Sequence, residues 1–215
     1  GLLNFNFFGI RQLYVRLFPV LSHSLAVFLI FFVDRIFIAN LMSYEDVGIY
    51  TAAFIYSQIV MLILDSKSRV WTEFVAEKYT SLKKDFFFKF GFLYIFILII
   101  SFIILYLLSP AIFSIFLSAE YQSSLNLIPI ILIALIFEAL FREVHIHLFV
   151  NNQRSFIAYS STIAAVAHLI FCPIFIQSLG LMGAALSFLV ASLIKFLGIS
   201  IFLSYFHKKN LRSLS

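Results

Sequence analysis

Six apolar runs, near residues 17–41, 48–70, 86–108, 125–149, 156–178 and 181–206, constrain this chain more than any other feature. Each approaches or exceeds the ~20 residues a helix needs to cross the hydrocarbon of a bilayer. A chain of 215 residues that is 63% hydrophobic and 12% charged, with a mean hydropathy of +1.07, has too much apolar surface for a water-soluble interior to hide. The expectation is an all-α polytopic membrane protein. A cytoplasmic segment at 1–16 precedes a six-helix bundle over 17–206, and a cytoplasmic tail at 207–215 follows it. Short connectors at 42–47, 79–85, 109–124, 151–155 and 179–180 make neighbouring helices antiparallel.

Six crossings put both termini on one side, and the cations agree. Arg11, Arg16, Lys78, Lys83, Lys84, Lys89, Arg154, Lys208, Lys209 and Arg212 fall on that side, whereas the opposite connectors carry only Glu45, Asp46 and Glu120. The positive-inside rule then makes both termini cytoplasmic. No signal peptide is evident, and the start at Gly1 reads as a cut through a longer chain. Cys172 sits alone in an apolar run and reads as packing. The third run, almost uncharged, is expected to face lipid. Pro110 is expected to end it, leaving Ile112, Phe113, Phe116 and Leu117 as a short interfacial turn or helix. The 29 Phe residues are spread through every run, which favours lipid contact and packing over an aromatic binding site.

Beyond those ten, the five remaining cations, Arg35, Lys67, Arg69, Arg142 and Lys195, lie deeper inside the runs. An ionised group near the bilayer centre costs about 2.5–3.5 kcal/mol, so each needs a partner, a cavity or an interface. In the first run His23 and Asp34 fall within about 20° of each other on one face, a candidate polar stripe, and Asp34 and Arg35 point about 100° apart, as if toward separate helices. In the second, Asp65, Arg69, Glu73 and Glu77 recur every four residues; the last two read as a solvated extension, and Lys67 as a snorkelling side chain. In the fourth, Glu138, Arg142 and His145 share a face, with a Glu138–Arg142 pair as the plainest reading, and Glu143 and His147 form a second pair opposite. These spacings gather no metal ligand set, so no metal and no cofactor is expected. His168 in the fifth run reads as an interhelical hydrogen bonder or a polar-site residue. Lys195, ~21 Å along its helix, is the hardest charge to explain as decoration. Near it, Gly183, Ala184, Ala185 and Ala191 would let a neighbouring helix approach closely. No phosphate-binding loop, nucleophile elbow, zinc set or dinucleotide motif is present in the sequence.

The stretch from Phe31 to Val60, FFVDRIFIANLMSYEDVGIYTAAFIYSQIV, resembles the seventh and eighth helices of bacterial O-antigen and polysaccharide flippases, the Wzx-like branch of the multidrug/oligosaccharidyl-lipid/polysaccharide exporter superfamily. Asp34 and Arg35 match that family's Asp-Arg, and Val47, Gly48, Ile49 and Tyr50 match the opening of its next helix. Leu179 to Phe196, with Gly180, Gly183, Ala184 and Ala185, is similar to the opening of its twelfth helix, and Glu120 to Phe137 to that of its tenth. His168 and Cys172 stand where family members often carry Asn residues four apart.

The resemblance implies the C-terminal lobe of a twelve-helix exporter in the bacterial inner membrane. Such a protein flips an undecaprenyl-pyrophosphate-linked oligosaccharide by alternating access, with a missing N-terminal lobe or a second copy as partner. It further implies Arg35, Arg142 and Lys195 as substrate-facing cations, with His168 beside them. Asp34, Asp65, Glu138, His23 and His145 are then the ion-pair or coupling groups. Rival readings are a multidrug or lipid II exporter of the same superfamily, a membrane-embedded glycosyltransferase or polymerase using Glu143, His145 and His147, and a non-transporting remnant subunit. The polymerase reading requires a large extracytoplasmic loop, which the connectors do not supply.

Overall fold

In hydrocarbon every backbone N–H and C=O must be bonded within the protein, which leaves the helix as the natural answer for apolar runs of this length. The computed structural model describes residues 7–62, 65–67, 74 and 84–212, and every regular element among them is helical. These are α1 (Phe7–Leu41), α2 (Tyr44–Ser57), α3 (Lys84–Phe116), a 3₁₀ helix (Ala119–Asn126), α4 (Ile128–Val150), α5 (Arg154–Leu179) and α6 (Leu181–Arg212). After a turn at Gln58, where Met61 N–H bonds the Gln58 carbonyl at 2.8 Å, the α2 span resumes and reaches Lys67. Among the described residues, five spans are long and apolar enough to cross a membrane. α4 makes a sixth when joined to the 3₁₀ helix, from which it is bent by 49°. The protein is therefore an all-α polytopic membrane bundle.

Several boundaries differ from the hydropathy reading. α1 begins at Phe7 rather than 17, so the helix runs on through residues expected to be a separate segment. α2 begins at Tyr44 because Ser43 caps it: the Ser43 hydroxyl accepts the Asp46 N–H, and Glu45 and Asp46 complement the helix dipole. Pro110 does not end the third helix. It lies inside α3, where its missing N–H frees the carbonyl of Tyr106, and the Ser109 hydroxyl donates to that carbonyl at 2.8 Å. Ile112, Phe113 and Phe116 thus belong to the last turns of α3 rather than to an interfacial element, and Phe113 is buried. Arg69, Glu73 and Glu77 lie outside the described residues.

Most of the packing runs along one chain of neighbours, α1 on α5, α5 on α6 and α6 on α4, while α2 closes the ring more sparsely between α1 and α4. The α5–α6 hairpin turns on Gly180, at φ 60° and ψ −139°, a conformation only glycine adopts without strain. At Gly183 a Cβ would stand 2.0 Å from the Phe175 carbonyl oxygen, so the close approach of the two helices requires glycine there. Ala184, Ala185 and Ala191 continue the seam fully buried. α3 lies outside the ring, with only 11% of its apolar window buried, and turns Leu93, Phe96, Ile97, Ile103, Ile104 and Leu107 outward. Cys172 is buried and packs as expected.

Candidate functional site

Between α1, the α2 span, α4 and α6 the bundle holds a half-open cavity of about 900 Å³. It lies near mid-length of α1 and α6, which line it from His23 to Phe32 and at Lys195. An aromatic triad closes its far end: Phe31 meets Phe54 and Phe188 edge-on, at 5.9 and 5.3 Å between ring centres, and Phe54 lies 5.2 Å from Phe188. The lining is of two kinds. Phe28, Phe32, Ile55, Ile59 and Leu62 line it from α1 and α2 with apolar side chains, and each is exposed. Glu138, Arg142 and His145 of α4, Lys195 of α6, Asp65 of the α2 span and His23 of α1 supply polar side chains.

The i, i+4, i+7 spacing of Glu138, Arg142 and His145 gives them one face of α4, but the expected Glu138–Arg142 pair does not form. Each finds an oppositely charged partner on another helix instead. Lys195 Nζ donates to Glu138 Oε2 at 2.7 Å, with both side chains 2% exposed and the ammonium 4.3 Å from the centre of the Phe141 ring. Arg142 pairs with Asp65, the side chains being 28% and 48% exposed. Beside that pair, Lys67 does not snorkel to an interface. It pairs with Glu143 and lies 3.7 Å over the Tyr94 ring, so Glu143 has a charged partner on the α2 span.

The two cavity pairs differ energetically. Separating a buried pair leaves an uncompensated charge and costs about 3–5 kcal/mol, whereas a partly exposed pair contributes only about 0–1 kcal/mol. Glu138 and Lys195 therefore resist separation, while the guanidinium of Arg142 can be shared or released at little cost. A guanidinium carries five N–H donors, and Nη1 is the donor engaged by Asp65. Glu138 keeps one unengaged group, since its Oε1 is buried and makes no hydrogen bond among the described residues. Two cations and two carboxylates on the wall sum to zero formal charge with both histidines neutral.

Other polar residues singled out by sequence lie elsewhere. His23 borders the cavity, hydrogen-bonded through Nδ1 to Ser161 Oγ at 2.8 Å and stacked 5.9 Å from His145. Asp34, eleven residues on, does not border it. Asp34 is fully buried beyond the triad, where its Oδ2 accepts the Tyr50 hydroxyl at 2.5 Å and its Oδ1 accepts Arg35 Nη1 at 2.9 Å. Arg35, instead of seeking a separate helix, also donates to the Phe31 carbonyl at 2.6 Å and lies 4.3 Å over the Phe54 ring. Thus Arg142 and Lys195 share one cavity and Arg35 is walled off from it. His168 is buried between α5 and α6, bonded to Ser187 Oγ at 2.9 Å, and does not line the cavity.

Sequence reasoning missed four partners: Tyr50 for Asp34, Ser187 for His168, Ser161 for His23 and Tyr94 for Lys67. Only Tyr50 had a signal, its place in the Val-Gly-Ile-Tyr string. Among the described residues no group of three or more His, Cys, Asp or Glu side chains could hold a metal ion. No protein-family profile, curated protein or solved structure matches the chain, so its function must be argued from the cavity itself.

Proposed function

We propose that the chain forms one lobe of a flippase for a lipid-linked oligosaccharide with an anionic, pyrophosphate-type head group, working by alternating access in a bacterial inner membrane. The observation that carries this reading is one cavity lined both by apolar side chains, mostly of α1 and α2, and by the ionic residues Asp65, Glu138, Arg142 and Lys195. Such a site suits an amphipathic molecule, whose lipid chain lies along Phe28, Phe32, Ile55 and Ile59 while its head group reaches the donors of Arg142. Charges at this depth are expensive and are retained where they line a substrate path. The aromatic triad and the Tyr50–Asp34–Arg35 cluster close the far end, as alternating access requires of one side at a time. A second lobe or a second copy of the chain would face the apolar wall.

In this reading the cavity opens to the cytoplasm, because α1 and α6 carry their basic ends on that side. The test is transport by the full-length protein in proteoliposomes containing a fluorescent polyprenyl-pyrophosphate oligosaccharide. Leaflet exchange is read by quenching from outside. Arg142→Ala is expected to slow exchange at least about tenfold with insertion intact; unchanged exchange would refute a role for the cationic wall. Cysteines placed at Glu45 and Lys84 check the orientation, since labelling of Lys84→Cys from the periplasm would invert it.

A further inference from the structure

Within that proposed cavity, we infer that the Glu138–Lys195 pair is a recognition subsite for hydroxyl groups of the substrate's sugar, separate in role from the anion-binding Arg142. The inference rests on the flippase reading and divides its site in two.

The division follows from three observations. First, Glu138 and Lys195 border the cavity yet hold each other at 2.7 Å with 2% exposure, so neither can be given up to a phosphate without stranding the other. Arg142, 28% exposed and paired with a half-exposed Asp65, has donors to share. Second, Glu138 Oε1 is buried with no hydrogen-bond partner among the described residues, an acceptor that is costly to leave unsatisfied. Third, the Lys195 ammonium carries three N–H donors, and Glu138 Oε2 takes one of them. An intact pair therefore offers one strong acceptor beside a strong donor, with no net charge between them. That combination fits a neutral group that both donates and accepts, as a sugar hydroxyl does, and discriminates against a bare phosphate.

Glu138→Gln isolates this role. The Gln carbonyl can keep the bond from Lys195, but the second position becomes an NH₂ donor, so a hydroxyl loses its acceptor. The experiment uses the full-length protein in lipid nanodiscs and measures binding of three probes: a polyprenyl phosphate, a polyprenyl pyrophosphate, and a polyprenyl pyrophosphate bearing one hexosamine. Glu138→Gln is expected to weaken the sugar-bearing probe by at least about tenfold relative to its sugar-free counterpart, the size of a lost hydrogen bond to a charged group. Because the substitution also leaves one net positive charge on the wall, both sugar-free anionic probes should bind at least as tightly as they do to the wild type, which also shows that the variant is folded. Arg142→Gln is expected to weaken all three. Equal changes across the three probes for Glu138→Gln would overturn the subsite. A wild-type protein that binds none of the probes would overturn the flippase reading and the subsite with it.

Discussion

Replacing Lys195 by Met tests the buried pair where its energetics are clearest. The substitution keeps an unbranched side chain of similar length against Phe141 but removes the ammonium, leaving Glu138, 2% exposed, with neither oxygen bonded. Breaking a buried pair from one side destabilises by about 3–5 kcal/mol. Glu138→Leu removes the other partner and leaves the ammonium with the Phe141 ring alone, so a loss of similar size is expected. Combining the two removes both charges, and such replacements range from neutral to stabilising by about 1–4 kcal/mol. The double variant should therefore be more stable than either single one, a coupling that exposes a shared mechanism. Reversible unfolding in mixed micelles with increasing sodium dodecyl sulfate, followed by helical circular dichroism, measures all four proteins. The reasoning fails if Lys195→Met costs less than about 1 kcal/mol, or if the double variant loses the sum of the single losses.

Two further outcomes follow from backbone and cluster geometry. Gly183→Ala places a methyl 2.0 Å from the Phe175 carbonyl oxygen, which only separation of α5 and α6 can relieve, whereas the Cβ of Gly198→Ala meets Ser160 Cβ at 3.1 Å, a smaller misfit. The same unfolding titration should show a loss above about 2 kcal/mol for Gly183→Ala and a clearly smaller one for Gly198→Ala. Tyr50→Phe removes the donor to the buried Asp34 carboxylate while leaving Arg35 on its other oxygen, and should cost about 1.5–3 kcal/mol, the range for a hydrogen bond to a charged group.

The helical bundle was legible because the hydrocarbon thickness and the rise per residue jointly set a run length that the sequence displays six times. The outward face of α3 was legible for the same reason, as was the close seam at Gly183, Ala184, Ala185 and Ala191. Sequence spacing was less informative about charges. It places Glu138 and Arg142 one turn apart and makes their pairing look natural, yet the charges of α6 and α2 stand closer to the required geometry. The i, i+4 rule describes an isolated helix surface, and partners brought by tertiary packing override it. Pro110 misled because a proline normally signals a helix end, whereas here Ser109 takes over the freed carbonyl. The cavity had no linear signature, since its walls come from four segments spread over some 170 positions.

α4 ties assembly to the site. It carries Glu138, Arg142 and Glu143 in one span, and for that reason it does not qualify as a membrane-crossing helix by apolarity alone. At about 2.5–3.5 kcal/mol for each ionised group near mid-depth, such a helix is poorly matched to lipid until its charges are met. Asp65 and Lys67, on the earlier α2 span, meet Arg142 and Glu143; Lys195, on the last helix, meets Glu138. Two of the three charges can thus be compensated as soon as α4 reaches α2, and the third is compensated only when α6 docks. Glu138 is then the residue most dependent on completion of the fold, and it is also the one with an acceptor left over. A loss of transport on removing it would reflect failed docking as readily as failed recognition. That ambiguity is why Glu138→Gln is read against the sugar-free probes: their retained binding shows that α6 has docked although Lys195 has lost its counter-charge, a control that Glu138→Ala, which also loses the hydrogen bond, does not offer.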